Sequence, residues 1–113
     1  MCIFITGCGN KSGKTVLKFS TWGSASEMAI IKTIVADYEQ KNPDIKIEIM
    51  HIPQDYFKKV HLLFASNLAP DILLINNLNI PFYSNHLCKL TDLLNKSEYY
   101  SQAIDGMSYD GEL

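Results

Sequence analysis

The chain lacks most of what would mark an enzyme, a membrane-spanning protein or a disulfide scaffold. Among its 113 residues there is no run of about twenty apolar positions, so no segment reads as a membrane span. Only three cysteines occur, at positions 2, 8 and 88, and an odd number at unrelated spacings specifies neither a disulfide framework nor a metal site. Cys88, in a mostly apolar stretch, reads as a small buried hydrophobe. Neither sign of charge dominates: ten basic residues stand against twelve acidic ones, and the formal net charge is −2. That balance invites no nucleic acid. The three histidines have no sequence-level partners for a nucleophile, a base and an orienting group, so no catalytic set, cofactor or metal is assigned. Internal repeats and low-complexity segments are absent, and the length suits one modest domain.

What is present is a strand, helix, strand, helix, strand succession over residues 16–77. Val16-Leu17-Lys18-Phe19-Ser20-Thr21-Trp22 is a β-prone run that stops at Gly23. Ser24 and Glu27 have the capping-box spacing, in which each side chain satisfies an orphan amide of the first helical turn. Met28, Ile31, Val35 and Tyr38 then recur at helical spacing until Asn42-Pro43 ends the helix, predicted over residues 25–41. Ile45-Lys46-Ile47-Glu48-Ile49 alternates strictly, which places this strand at or near a sheet edge. Pro53 closes it, and Asp55 is positioned to cap a second helix over residues 56–68. Ala69-Pro70-Asp71 turns the chain into Ile72-Leu73-Leu74-Ile75, an unbroken apolar run of the kind found in a parallel strand covered on both faces. Two consecutive βαβ units predict an α/β fold with a three-stranded parallel βαβαβ core and right-handed crossovers. Beyond residue 80 the pattern weakens: one short helix over 82–87, a turn at Leu90, Leu93 and Leu94 packing on the sheet, an exposed stretch at 97–102, and a turn at Tyr109-Asp110-Gly111 with no closing element after it.

Near the start, Gly9-Asn10-Lys11-Ser12-Gly13-Lys14-Thr15 has part of a phosphate-binding loop. With Gly13-Lys14-Thr15 in register, the first glycine of that pattern falls on Cys8, and the residues that follow are β-prone rather than helical. A phosphate-loop nucleotide enzyme therefore stands as an alternative, as does a stand-alone α/β interaction domain. Ile5-Thr6-Gly7-Cys8 resembles a bacterial lipobox, which implies a lipid on Cys8. Seven residues precede Cys8, none basic, with only Ile3-Phe4-Ile5 as an apolar core, so residues 1–8 read as a truncated lipoprotein signal peptide. Residues 9–15 read as a flexible tether and residues 16–113 as the folded part.

Taken with the lipobox, Phe19-Ser20-Thr21-Trp22-Gly23, Tyr38-Glu39-Gln40-Lys41-Asn42-Pro43, Ala69-Pro70-Asp71-Ile72 and Tyr109-Asp110-Gly111-Glu112-Leu113 carry a resemblance. The chain resembles the N-terminal part of a bacterial extracellular solute-binding protein of the sugar-binding type, family 1, the lipoprotein receptor of an ABC importer. The resemblance implies a partial periplasmic-binding-protein type II lobe and a non-catalytic role. It also implies a carbohydrate or other small solute as ligand, permease subunits as partners, and an extracytoplasmic place on the cell membrane through lipid on Cys8. Ligands of open parallel sheets bind outside the carboxyl ends of the strands. The expected ligand-binding residues are accordingly Trp22, Gly23 and Ser24 after the first strand, and Asn76, Asn77 and Asn79 after the third. An indole offers an apolar plate to a pyranose, and amides donate and accept as hydroxyls do. Each has a plainer reading beside it: Trp22 as core packing, the asparagines as turn formers, Glu27 as a cap and not a ligand group. Leu78 departs from the charged or aromatic residues that the family often has at this loop.

Overall fold

The computed structural model describes residues 13–113. The signal-peptide and lipidation expectations at residues 1–8, Cys8 included, and most of the tether lie outside the described residues. Two compact units are seen, one ending at Leu74 and the other Ile75–Leu113.

The first unit is the α/β core. It runs β1 (Thr15–Thr21), α1 (Ala25–Lys41), β2 (Ile45–His51), α2 (Tyr56–Ala65) and β3 (Ile72–Leu73). The sheet is parallel throughout, in the order β2-β1-β3, with Thr15 opposite Ile45, Thr21 opposite His51 and Phe19 opposite Ile72. β2 lies at an edge, as its alternation implies, and Ile45, Ile47 and Ile49 are half-buried while Lys46 and Glu48 are exposed. α1 has the predicted bounds because both ends are written locally. Ser24 accepts from the Glu27 amide and Glu27 reaches back to the Ser24 amide, while the Asn42 amide bonds the Tyr38 carbonyl. Met28, Tyr56 and Val60 are the buried apolar side chains of this unit.

Three expectations are corrected here. α2 stops at Ala65 and not at residue 68. Asn67 is left-handed at φ 57°, the Leu68 amide bonds the Leu63 carbonyl and the Asn67 amide bonds the Phe64 carbonyl, which is a Schellman stop with Asn in place of Gly. Asp55 holds the cap position without a capping bond, because its backbone is left-handed (φ 52°, ψ 37°) and not in the extended region from which a cap side chain reaches back. β3 is two residues long, and Ile72 is 43% exposed. Among the described residues β3 has a strand on one side only, and with Ile72 exposed and Leu73, Leu74 and Ile75 half-buried, its apolar run is not fully covered.

The second unit is made of short pieces. A 3-10 turn (Asn77–Asn79) leads into α3 (Ile80–Tyr83), whose Ile80 and Tyr83 are buried, then a 3-10 turn at Ser84–His86. Leu90 accepts from the amides of Leu93 and Leu94, so a turn forms there, with Leu93 75% exposed. Residues 97–102 are exposed as expected, and α4 (Ser101–Met107) begins within them. Asp110 and Gly111 both have positive φ in a two-residue turn bridged by Tyr109 and Glu112. Among the described residues no helix or strand follows this turn, and Leu113 is tied back by two bonds: its amide donates to the Thr91 hydroxyl and its carbonyl accepts from the Leu90 amide. Cys88 is exposed, not buried.

Candidate ligand loop at the end of the central strand

β1 is the central strand, and its carboxyl end is where Trp22, Gly23 and Ser24 sit. The chain reaches this point through Ser20 and Thr21, both fully buried. Ser20 is held from α2: its hydroxyl lies 2.8 Å from the Tyr56 hydroxyl, which also donates to the Ser20 carbonyl at 3.1 Å. Burying these polar groups is tolerated because each is paired. Tyr56 therefore fixes the end of β1 against the first turn of α2.

Trp22 is half-buried and belongs to a three-ring cluster. Its ring centroid is 4.7 Å from that of Tyr56, at 71°, and 5.6 Å from that of Phe57, at 56°. Tyr56 and Phe57 meet edge-on at 5.1 Å. Edge-on geometry suits the ring quadrupoles and gives the indole a defined plane. The sequence pattern places Tyr56 and Phe57 only at the start of the second helix, over residues 56–68. Their part at this loop depends on the β2-to-α2 turn bringing them beside Trp22, which no local pattern encodes.

The carbonyls of the loop are each bonded. The Thr21 carbonyl accepts from the Ile52 amide at 2.8 Å, the Trp22 carbonyl from the Thr21 hydroxyl at 3.0 Å, and the Gly23 carbonyl lies 2.9 Å from Nε2 of His51. The Ser24 amide and hydroxyl both donate to Oε2 of Glu27, at 2.7 Å each. These bonds hold the Glu27 carboxyl below the usual carboxylate range, the amide contributing most. Glu27 is thus a cap, and the Ser24 amide is not spare for a ligand. What the loop presents outward is side chain, chiefly the indole.

Asn76, Asn77 and Asn79 open the second unit. Oδ1 of Asn76 accepts from the amide and the side-chain Nδ2 of Asn79, at 3.1 and 2.7 Å, so these two close the 3-10 turn on themselves. Asn77 is exposed, and Leu78 is 75% exposed. The turn-forming and the ligand-facing readings of Asn76 and Asn79 share one pair of side chains; Asn77 joins the turn through its carbonyl, which accepts from the Ile80 amide.

Two other chemistries find little here. Thr15 begins β1, so no helix amides follow Lys14 as a phosphate loop requires. Among the described residues, no group of three or more His, Cys, Asp or Glu is placed to hold a metal ion, and no helix is long and apolar enough to cross a membrane.

Neither a protein-family model nor a curated protein sequence matches the chain. Solved structures do. An extracellular solute-binding protein of family 1 from Alicyclobacillus acidocaldarius is similar with a TM-score of 0.80 and 27% identity, over 92% of this chain and 28% of that one. The ABC substrate-binding protein Lmo0181 from Listeria monocytogenes, solved with cycloalternan, gives 0.75 and 27%, over 88% and 27%. The sugar-binding protein MalE from Xanthomonas citri shares the fold at 0.79 and 24%, over 88% and 27%. Two designed esterases also match, at 16% and 15% identity, a likeness of fold alone. The chain spans about a quarter of the length of these structures. In fold it is similar to extracellular solute-binding proteins of family 1 and sugar-binding ABC proteins, and its parallel α/β core matches part of one lobe of that architecture.

Proposed function

We propose that the chain supplies part of a carbohydrate-capturing lobe in the substrate-binding protein of an ABC importer. The observation that carries this reading is a half-buried indole, set at a fixed tilt at the carboxyl end of the central strand, in a fold shared with sugar-binding proteins. Trp22 is the plate for a pyranose face, and Gly23 and Ser24 fix its height above the sheet. Taken by itself, the second unit offers Asn77, with Asn76 and Asn79 shaping its turn, as its own candidate amide for sugar hydroxyls. The protein works outside the cytoplasm, held to the membrane by lipid on Cys8, and delivers its ligand to permease subunits. It binds and does not catalyse.

The ligand class is a neutral oligosaccharide. All ten basic residues are lysines, so this part of the protein has no guanidinium to clamp a uronic acid or a phosphate side-on. Neither loop carries a lysine, and Glu27 beside Ser24 repels an anion.

Calorimetric titration of the protein from its complete reading frame, with cycloalternan, maltotriose and a digalacturonic acid control, tests this. Binding of a neutral glycan is expected, weakened about tenfold or more by Trp22→Ala, as loss of an aromatic plate implies. Silence across the panel, or a preference for the acidic sugar, would overturn it.

A further inference from the structure

We propose that His51 is a positioning residue for the ligand loop: from the end of the neighbouring strand it holds the Gly23 carbonyl and thereby sets the Trp22 indole. This deepens the carbohydrate-binding reading and rests on it. The parallel register is what makes it possible. Thr21 pairs with His51, so β1 and β2 end level, and the His51 ring extends forward to a carbonyl two residues past its register partner. Nε2 lies 2.9 Å from the Gly23 oxygen.

A carbonyl oxygen only accepts, so Nε2 carries the proton in this bond. The turn has a stated need for such a hold. Gly23 sits at φ +134°, a conformation open to glycine, whose own flexibility does nothing to keep it there. Of the loop's carbonyl bonds, those at Thr21 and Trp22 are made by a strand-end amide and by the adjacent Thr21 hydroxyl. Only the Gly23 carbonyl relies on a side chain brought from another strand. On the far side of the same glycine, Glu27 grips the Ser24 amide and hydroxyl. Trp22 is therefore fixed through its backbone by His51 and Glu27, and through its ring by Tyr56 and Phe57. The two backbone anchors stand on β2 and α1, so the indole's tilt records how the end of β2 sits beside the end of β1.

His51 itself touches no ligand in this scheme. Its ring is exposed, so its replacement leaves the buried packing of the unit alone. That separates positioning from general support of the fold.

The test uses nitrogen-15 NMR and calorimetry on the protein from its complete reading frame, wild type, His51→Ala and His51→Gln. In the wild type the His51 ring is expected to show a protonated Nε2. His51→Ala is expected to move the Gly23 amide and the Trp22 indole N–H resonances, the latter assigned with Trp22→Phe, and to raise quenching of Trp22 by acrylamide. Affinity for cycloalternan or maltotriose should fall about five- to tenfold, the effect of one lost hydrogen bond. His51→Gln, which keeps a side-chain N–H, should restore both resonances and most of the affinity. A merely structural role would not be rescued in this paired way. A neutral ring with its proton on Nδ1, or an unmoved indole resonance in His51→Ala, overturns the proposal. An indole that moves as expected in a protein that binds neither glycan sustains His51 and sinks the carbohydrate reading, so the two failures are distinguishable. Should His51→Ala not fold, the wild-type ring tautomer and the His51→Gln spectrum still decide.

Discussion

Gly23 shows at a single residue how the loop is made. A β-carbon built there meets Cβ of Glu27 at 3.2 Å and its Oε2 at 3.3 Å, the oxygen that accepts both Ser24 bonds. Gly23→Ala thus adds crowding to a backbone conformation that side chains avoid, a strain of about 1–3 kcal/mol. It also pushes on the capping carboxylate. Thermal melts should show this loss, together with a weaker glycan affinity. Gly106 is the control. It lies in α4, has no positive φ, and nothing stands within 4 Å of an added β-carbon. Gly106→Ala should be neutral or stabilise by up to about 1 kcal/mol, through lower backbone entropy in the unfolded chain. Equal losses at the two sites would mean that Gly23 has no special geometry to protect.

Among the elements, β2 has an edge to guard, and α1 guards it. Oε1 of Glu39 accepts from the Ile47 amide at 2.7 Å, while Oε2 meets Lys46 Nζ at 3.0 Å. The strand amide and then the Lys46 bond hold the Glu39 carboxyl below its ordinary value of 4.5. A folded-state value below the unfolded one adds stability that is complete above pH 4.5 and fades as pH falls through the lower folded value. Glu39→Gln should therefore lower the neutral plateau of the melting-temperature profile, flatten its acid limb below that point and converge with the wild type at low pH. A bound amide on an edge strand is also one fewer template for a foreign strand. Aggregation of Glu39→Ala, followed by light scattering, should rise. These elements also show what a sequence makes legible. α1 was readable residue by residue because Ser24, Glu27 and Asn42-Pro43 are local chemistry. The stop of α2 was legible in principle, since Asn tolerates the left-handed C′ position, but a pattern of apolar spacing carried the reading past it. The length of β3 was not, because a strand ends where its partner stops bonding. There the Asp71 carboxylate takes the Lys18 amide just before Ile72. Trp22 was visible as a candidate plate; His51, Tyr56 and Phe57 joined it only through register and a turn.

For the whole chain, the question is how much apolar surface its own residues cover. Few apolar side chains are buried among the described residues, and several large ones are exposed. On α1, Ile30 and Ile34 are each 62% exposed and Tyr38 is 43% exposed, spaced i, i+4 and i+8 along one stripe. Contiguous exposed apolar surface drives association, and the open side of β3 adds backbone groups to it. The 113-residue chain expressed alone should therefore self-associate in sedimentation runs. Changing Ile30 and Ile34 to Lys together should shift it toward monomer without lowering its helix content, since neither side chain is buried. The same double change made in the protein from its complete reading frame separates two roles for this stripe. If it lowers the melting temperature there by several degrees, other parts of that protein pack on the stripe; a tenfold change in the folding constant is about 1.4 kcal/mol, which small domains register as such a shift. If the melting temperature holds, the stripe is surface in the full protein too. Its exposure then sets how readily the protein associates with itself, a property that sedimentation of the full-length pair reads directly.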